Sequence, residues 1–204
     1  MKLLELFSGT KSVGKVAEQL GYEVVSLDLK DADINCNILD WDYTIYPPNY
    51  FDVIWASPPC TEYSRAKSRG IRDIEKANSI VMKTLDVIEY LNPTYYIIEN
   101  PQTGLLKSQG FMYGIPYQDI DYCKYGMPYR KRTRLWCNLF QWTPQTLCKK
   151  DCGNMIDNHH IGSCGCGGQG QGHNTKYSDR SYSQAEKYVI PTALIEELFN
   201  CMGI

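Results

Sequence analysis

Short apolar segments alternate with amphipathic segments along the first hundred residues of the chain. The apolar segments are Lys2–Phe7, Tyr22–Leu27, Phe51–Ala56 and Tyr95–Ile98, and the amphipathic ones are Val13–Leu20 and Ile74–Leu91. In the longest amphipathic segment, apolar residues recur every three or four positions, which is the spacing of a helix face. The alternation predicts an α/β fold in which crossover helices join the strands of a mostly parallel sheet.

The pattern changes twice in the second half of the chain. Two further strands are predicted at Ile120–Tyr125 and Thr133–Leu139, with the turn-forming sequence Tyr-Gly-Met-Pro between them. From about residue 144 to 183 Gly, Cys, His, Asn and Gln dominate, and helical spacing returns at Ile190–Met202. We expect one α/β domain over residues 1–143, a short irregular insertion over 144–183, and a closing helical segment over 184–204 that completes the domain.

Composition and charge restrict the setting of the protein. The chain has 204 residues, of which 43% are hydrophobic, enough for a single core. No apolar run reaches the length of a membrane span, and the first residues resemble a strand more than a signal peptide. Nine cysteines, an odd number, favour free thiols, catalysis or metal binding over a disulfide framework. We expect an intracellular protein, in the cytoplasm or a host nucleus, with no membrane partner and no obligate protein partner.

The formal net charge of −2 provides no overall attraction to nucleic acid, so binding a polyanion requires basic residues grouped on one face. Two such groups occur. The first group is Arg65, Lys67, Arg69 and Arg72, and the second is Arg130, Lys131, Arg132 and Arg134. The alternative interpretation is that each group is a solvated surface run.

The turn after the first strand has the composition of a nucleotide-binding turn. Ser8, Gly9, Thr10 and Gly14 place small residues where a ligand can approach the backbone. Asp28 ends the second strand, where an acidic residue commonly binds ribose hydroxyls. The turn lacks the full dinucleotide fingerprint and the Lys-Ser/Thr end of a phosphate-binding loop. A tight strand-to-helix turn without a ligand is the alternative.

Two reactive side chains follow neighbouring strands. Cys60 comes after Ser57-Pro58-Pro59 at the end of an apolar strand, and Glu99 ends the strand that begins at Tyr95. Open α/β sheets bind ligands at these strand ends, and a thiolate is a strong nucleophile near neutral pH. A buried structural thiol and a capping or surface carboxylate are the structural alternatives.

Four motifs occur in order: Leu-Phe-Ser-Gly-Thr at 6–10, Pro-Pro-Cys at 58–60, Glu-Asn-Pro at 99–101 and Arg-Thr-Arg at 132–134. Together they resemble the DNA (cytosine-5-)-methyltransferase family, over Lys2 to about Leu139 and more faintly over Ile190–Leu198. The resemblance implies a Rossmann-like S-adenosylmethionine-dependent methyltransferase fold. It implies a compact member of the family, because the region that would recognise the target is short.

The resemblance also assigns roles to residues of the predicted cofactor site. It places Phe7 beside the adenine, Gly9 against the methionine portion of S-adenosylmethionine, and Asp28 on the ribose. Asn37 stands where the family usually has an Asp near the adenine amino group. The full set of expected cofactor contacts is Phe7, Ser8, Gly9, Thr10, Asp28, Asn37 and Pro58.

On the same resemblance, Cys60 is the nucleophile that adds to carbon 6 of a flipped cytosine, while Glu99 protonates or hydrogen-bonds ring nitrogen 3. The segment 61–72 is expected to close over the base, and its four basic residues are expected to contact phosphates. Expected substrate contacts are Ser64, Arg65, Asn100, Lys149 and Lys150.

Arg132 and Arg134 resemble the two arginines of the family's Gln-x-Arg-x-Arg motif, which supports Glu99 and the target base. Since they alternate along a strand, their side chains are expected on one face. The motif is imperfect: Arg130 stands in the Gln position, and the stretch that begins at Tyr125 is one residue longer than usual. A salt-bridged strand face is the structural alternative.

The insertion contains Cys148-x3-Cys152, Cys164-x-Cys166 and three histidines at 159, 160 and 173. These are enough ligands for a tetrahedral zinc site, but neither pair has the usual two-residue gap, so zinc ranks below a Gly-rich loop with free thiols. Lys149 and Lys150 are expected to contact phosphates or base edges. A short insertion reads few bases, so we expect a short or relaxed recognition sequence.

The leading hypothesis is therefore methyl transfer from S-adenosylmethionine to carbon 5 of cytosine in DNA. The same reaction on RNA is the first alternative. The second alternative is a non-catalytic protein that keeps the cofactor fold for binding.

Overall fold

The computed structural model describes residues 1–67, 70–162 and 182–203. In these residues, seven strands form the main sheet in the order β3-β2-β1-β4-β5-β7-β6. They are β1 (Lys2–Leu6), β2 (Glu23–Asp28), β3 (Ile34–Asn35), β4 (Val53–Ala56), β5 (Tyr95–Pro101), β6 (Tyr117–Asp121) and β7 (Arg132–Cys137). The first five strands pair in parallel, and β7 lies antiparallel between β5 and β6. The predicted α/β, Rossmann-like fold with a mostly parallel sheet is confirmed.

Helices cover both faces of the sheet. They are α1 (Ser12–Gln19), α2 (Ile74–Leu91), α3 (Gln184–Tyr188) and α4 (Thr192–Cys201). One core lies under α1 and α4 and includes Trp55, and the other lies under α2 and includes Ile54. Because β4 has a core on each face, all four of its residues are buried. Among the residues that the structure describes, no helix combines the length and the hydrophobicity that a bilayer crossing demands.

The longest helix follows its sequence signals closely. Asp73 caps the start of α2 by accepting a hydrogen bond from the backbone N–H of Lys76 at 3.0 Å. Asn92 ends the helix in the left-handed conformation, which Asn tolerates better than most residues. Apolar residues at helical spacing face the core, as predicted. The helix therefore joins β4 to β5 by the expected crossover.

Two predicted elements are corrected by the structure. The strand expected at Ile120–Tyr125 ends at Asp121, and Tyr122–Tyr125 form a 3-10 helix that stops at Gly126 with a φ of 89°. The helix expected from Ile190 begins at Thr192, after Pro191. A short helix that the apolar spacing did not reveal, α3, precedes it and starts with a capping box between Ser183 and Glu186.

The described part of the insertion is mostly irregular, as expected, but it contains a small hairpin. Its strands are β8 (Met155–Ile156) and β9 (His159–His160), which pair antiparallel. Asp157 and Asn158 form the two-residue turn with positive φ values, a conformation that these two residues tolerate. Cys164, Cys166 and His173 lie outside the described residues.

Candidate active site

A cavity of about 360 Å³ opens at the carboxyl ends of the parallel strands. This edge is where open α/β sheets bind ligands, because the loops that leave successive strands converge there. The residues predicted to contact the cofactor all line it, together with three of the predicted catalytic or substrate residues. These are Phe7, Ser8, Gly9, Thr10, Asp28, Asn37 and Pro58, and Cys60, Glu99 and Asn100.

The loop between β1 and α1 forms one end of this cavity. The backbone N–H of Gly9 donates to Asp28 Oδ2 at 2.8 Å, and that of Leu29 donates to Asp28 Oδ1 at 2.6 Å. Phe7 and Gly9 both have positive φ values, 61° and 47°, so the chain turns sharply after β1. Asp28 thus fixes this loop and stays partly exposed at the cavity wall.

Glu5 is a cavity residue that the sequence did not assign. It lies in β1, is only 3% exposed, and accepts a hydrogen bond from the backbone N–H of Gly14 at 3.1 Å. Burial raises the pKa of Glu5 to about 7, against the opposing effect of backbone hydrogen bonds from Gly14 and Val13. A charged residue among the apolar residues in the interior of β1 was the signal for this site.

Backbone and amide contacts fix the segment between the end of β4 and Cys60 to its neighbours. The backbone N–H of Ser57 donates to the carbonyl of Leu6 at 3.2 Å, and Asn100 Nδ2 donates to the carbonyl of Pro58 at 2.9 Å. Cys60 follows two prolines and begins a turn in which Tyr63 N–H donates to its carbonyl at 3.1 Å. The sulfur is therefore held by main-chain geometry at the cavity wall.

Glu99 lies in a buried polar cluster. It is 6% exposed, and its Oε1 accepts a hydrogen bond from the Tyr122 hydroxyl at 3.0 Å and lies 3.4 Å from Lys131 Nζ. The amine of Lys131 also lies 4.8 Å from the centre of the Tyr122 ring. A buried carboxylate needs such partners, because an unpaired charge in this environment is costly.

The same cluster controls the thiol of Cys60. Burial is the largest cause that raises its pKa above the ordinary value, and the negative charge of Glu99 adds to the rise. The positive charge of Lys131 acts in the opposite direction. Because the thiol is the favoured form at neutral pH, nucleophilic attack requires loss of its proton as the reaction begins.

The structure corrects the expected environment of the two arginines. Arg132 forms a double hydrogen bond with Asp121 at 3.0 and 2.8 Å, and Arg134 forms one with Asp119 at 2.7 and 2.9 Å. In the sheet register, Asp121 on β6 lies directly opposite Arg132 on β7, and Asp119 lies directly opposite Arg134. The expected contact to Glu99 comes instead from Lys131.

The reason is the alternation of side chains along β7. Glu99 pairs with Leu135, so it shares a face with the odd-numbered residues of that strand, whereas Arg132 and Arg134 point to the other face. Lys131, immediately before β7, is also odd-numbered, so its side chain lies on the same face as Glu99. The two arginines thus form a salt-bridged strand face, the structural alternative that the sequence left open.

Basic residues of the segment after Cys60 divide into two groups. Arg72 donates to the carbonyls of Glu62, Ser64 and Lys67, and Lys67 forms an ion pair with Glu62 at 2.6 Å. These two cations therefore shape the segment itself, contrary to the expectation that all of them face phosphates. Arg65 is exposed, and the partly exposed Ser64 accepts a hydrogen bond from Ala66 N–H at 3.2 Å. Arg69 lies outside the described residues.

Lys149 and Lys150 are exposed in the insertion. In the part of the chain that the structure describes, neither belongs to the cavity wall. Residues from the C-terminal segment do, however: Tyr188 and Ile190 line the cavity, although the sequence pattern gave no sign of it. The C-terminal segment therefore closes one side of the site.

Fold and site together define a Rossmann-like protein with a nucleotide-type pocket that meets a cysteine and a glutamate. A family model described as "C-5 cytosine-specific DNA methylase" matches residues 1–141. The chain is also 36% identical to the "Probable DNA (cytosine-5)-methyltransferase" of Frog virus 3 (isolate Goorha), over 98% of this chain and 99% of the relative. The chain belongs to the C-5 cytosine-specific DNA methylase family and is a DNA (cytosine-5)-methyltransferase by that membership.

Solved structures with a similar fold include a mutant of Spodoptera frugiperda DNMT2, with a TM-score of 0.49, 19% identity, and 74% of this chain covered. The S. pombe Dnmt2 methyltransferase matches with a TM-score of 0.47, 14% identity, and 67% of this chain covered. The chain spans about half the length of these two structures, 56% and 49%, whereas it spans nearly the whole of the viral relative.

Proposed function

We propose that this protein transfers a methyl group from S-adenosylmethionine to carbon 5 of cytosine in DNA, through a covalent adduct with Cys60. The observation that carries the proposal is the shared cavity, which has Asp28 and Gly9 at one end and Cys60 and Glu99 at the other. A methyl donor and a pyrimidine bound at these two ends would have their reacting atoms side by side.

The residues at the first end fit S-adenosylmethionine. Asp28 retains carboxylate lone pairs for ribose hydroxyls, beyond those used by Gly9 and Leu29. Among the described residues, Ser8 Oγ is a buried polar atom without a hydrogen-bond partner, and Ser8 lines the cavity. Glu5 adds a carboxylate suited to a cationic ligand. When bound, the cofactor supplies the electrophilic methyl group that carbon 5 accepts.

At the second end, Cys60 and Glu99 make the pyrimidine reactive. Carbon 5 is a poor nucleophile until a bond from Cys60 Sγ to carbon 6 moves electron density into the ring as an enamine. Glu99 stabilises that adduct by donating a proton or hydrogen bond to ring nitrogen 3, and Lys131 and Tyr122 hold its carboxyl group in place. Once carbon 5 has accepted the methyl group, a base removes the proton from carbon 5. Elimination then breaks the sulfur–carbon bond and releases Cys60 as a thiolate.

A cytosine within a duplex must leave the base stack to enter this cavity. Arg65 is exposed in the segment that follows Cys60. We assign phosphate contacts to Arg65 in this segment, and to Lys149 and Lys150 in the insertion. Ser64 and Asn100 complete the substrate set.

The insertion is short, so it offers few side chains to read base edges. We therefore expect a recognition sequence of a few bases or a relaxed one. Bisulfite sequencing of DNA from cells that express the protein measures this directly. A strict site of six or more bases contradicts the expectation.

The decisive experiment for the reaction is methyl transfer from labelled S-adenosylmethionine to duplex DNA, single-stranded DNA and tRNA, followed by digestion and nucleoside identification. The expected product is 5-methylcytosine in DNA, and the Cys60→Ala variant is the blank. Preferential labelling of tRNA supports the RNA alternative, and methyladenine contradicts the mechanism. Cofactor binding with no label in any substrate supports the non-catalytic alternative.

A further inference from the structure

Four side chains from three separate parts of the chain converge beside the sheet. Cys123 lies in the 3-10 helix after β6, Cys148 and Cys152 lie in the loop before β8, and His160 ends β9. Their sulfur and ring-nitrogen atoms all lie within 4.8 Å of one another. Cys123 and Cys148 are buried, and the other two residues are partly exposed.

The spacing of these atoms matches a zinc centre. A tetrahedral ion with Zn–S bonds of about 2.3 Å and a Zn–N bond of about 2.0 Å separates sulfur from nitrogen by roughly 3.5 Å. Cys148 Sγ lies 3.5 Å from His160 Nε2. The four atoms therefore need little movement to surround one ion.

We propose that Cys123, Cys148, Cys152 and His160 bind one Zn²⁺ as a closed Cys3His site. Binding replaces the protons of the three thiols with metal–sulfur bonds and releases those protons, while the imidazole binds in its neutral form. With four protein ligands the ion has no open position, so the site is structural.

Backbone and side-chain contacts support the ligands from outside. The backbone N–H of Lys150 donates to Cys148 Sγ at 3.3 Å, a contact that stabilises a thiolate. The N–H of Cys148 donates to the buried Asp121 at 2.9 Å. Asn154 Nδ2 lies 3.3 Å from the carbonyl of Cys123 and 3.1 Å from that of Met127, which holds the insertion against the 3-10 helix.

The cluster lies next to residues that position Glu99 in the active site. Cys123 directly follows Tyr122, whose hydroxyl donates to Glu99 at 3.0 Å. Asp121, on the other side of Tyr122, binds both Arg132 and the N–H of Cys148. The ion thus fixes the insertion to the strand end that positions Glu99.

This ligand set differs from the one that the sequence spacing offered. Cys148 and Cys152 remain, the third sulfur comes from Cys123, 25 residues upstream of Cys148, and Cys164 and Cys166 lie outside the described residues. His160 is the ligand, whereas its neighbour His159 is exposed and, by strand alternation, points the other way. These neighbours supply matched controls.

The test is metal analysis of the full-length protein purified without chelator and without an affinity tag that binds metal. We expect about one zinc per chain, and X-ray absorption at the zinc edge should give three sulfur neighbours at about 2.3 Å and one nitrogen at about 2.0 Å. Cys123→Ser, Cys148→Ser and His160→Ala should each lose most of the bound zinc. His159→Ala, Cys201→Ser and the Cys164→Ser/Cys166→Ser double variant should retain it.

A ligand variant can also lose zinc because the insertion unfolds. The X-ray absorption spectrum and a melting experiment on the wild-type protein therefore test zinc binding without mutation. Removing zinc with a chelator should lower the melting temperature, and adding Zn²⁺ should restore it. Absence of zinc from the wild-type protein overturns the proposal, as does loss of zinc in the Cys164/Cys166 variant. A disulfide among Cys123, Cys148 and Cys152 in protein purified under reducing conditions overturns it as well.

Discussion

Lys131 Nζ lies 3.4 Å from Glu99 Oε1, and both side chains are buried at the wall of the cavity that contains Cys60. This pair places a positive and a negative charge beside one thiol, with opposite effects on the thiol pKa. The reactivity of Cys60 therefore reports on both charges. Two variants can be compared with the same probe.

Glu99→Gln should make Cys60 more reactive toward iodoacetamide, whereas Lys131→Gln should make it less reactive. Removing the negative charge lowers the Cys60 pKa and increases the thiolate fraction, and removing the positive charge does the reverse. Both changes should be measurable at pH 7.5, because the thiolate fraction follows the pKa directly when the pH lies well below it. Alkylation rates measured by mass spectrometry across pH 7–10 test this.

Methyl transfer should fall in both variants even though alkylation moves in opposite directions. Glu99→Gln loses the group that serves ring nitrogen 3, and Lys131→Gln leaves the Glu99 carboxylate with one partner fewer. Lys131→Arg keeps the charge and is the conservative control. Equal alkylation rates in all four proteins would show that the pair does not act on the thiol.

Arg132→Gln and Lys131→Gln should separate stability from catalysis. Arg132 pairs with Asp121, whose side chain is 0% exposed, so its loss leaves a buried carboxylate short of donors. The cost should be about 1–3 kcal/mol, or a fall in Tm of roughly 5 °C, with kcat little changed. Lys131→Gln should lower kcat strongly, because Glu99 lines the cavity, and it should also lower Tm, because Glu99 is buried. Thermal melts and steady-state kinetics on the same preparations measure both.

The contrast between Arg132 and Lys131 shows how much of the site could be predicted from the sequence. Hydrophobic alternation placed the parallel strands, and the carboxyl ends of parallel strands share one edge, so Cys60, Glu99 and Asp28 were brought together correctly. The sequence also showed that Arg132 and Arg134 share a face. It did not show which face, because that depends on the pairing of Glu99 with Leu135 across β5 and β7. Lys131 was missed for that reason.

Local sequence patterns also could not predict which distant segments of the chain lie close together in the fold. Cys123 lies in a segment that reads as a strand, and only the 3-10 helix that ends at Gly126 brings its sulfur toward the insertion. Tyr188 ends α3 and Ile190 lies between α3 and α4, and both residues line the cavity. The helix α3 is only five residues long, too short for its apolar spacing to predict it. Its capping box, Ser183 with Glu186, was a readable signal.

Stability should depend on pH through Glu5. Its pKa in the folded protein, about 7, lies above the ordinary value of 4.5, so the folded state binds the proton more tightly than the unfolded state. Stability from this group is therefore fully present below about pH 4.5 and is lost as the pH rises through about 7. The loss should reach up to about 3 kcal/mol.

Glu5→Gln removes this titration and should flatten the stability profile between pH 5 and 8. Urea unfolding at several pH values, without cofactor, gives the difference between wild type and variant. A parallel pair of profiles would mean that Glu5 does not titrate in this range. Asp33→Asn offers a contrast, since hydrogen bonds from Ser26 lower the pKa of Asp33 and its effect has the opposite sign.

Gly14→Ala should disturb the first turn of α1, in which the N–H of Gly14 donates to Glu5. A Cβ at this position would lie 2.6 Å from Glu5 Oε2 and 3.2 Å from Val24 Cγ1, so the carboxylate must move away from the N–H of Gly14. The cost should be about 1–3 kcal/mol, with weaker binding of S-adenosylmethionine. Gly110→Ala is the matched control, because a Cβ there meets nothing within 4 Å. Denaturation and calorimetry should separate the two variants clearly.

Cys60→Ala should abolish methyl transfer while leaving the affinity for S-adenosylmethionine within about twofold of wild type. The loop around Cys60 is held by the contacts of Ser57 N–H with Leu6 and of Asn100 with Pro58, none of which uses the sulfur. The cofactor end, with Gly9 bound to Asp28, is likewise independent of it. Isothermal titration calorimetry with cofactor, beside labelled methyl transfer, tests both parts. If binding and turnover are lost together, Cys60 supports the fold, and its assignment as the nucleophile loses this support.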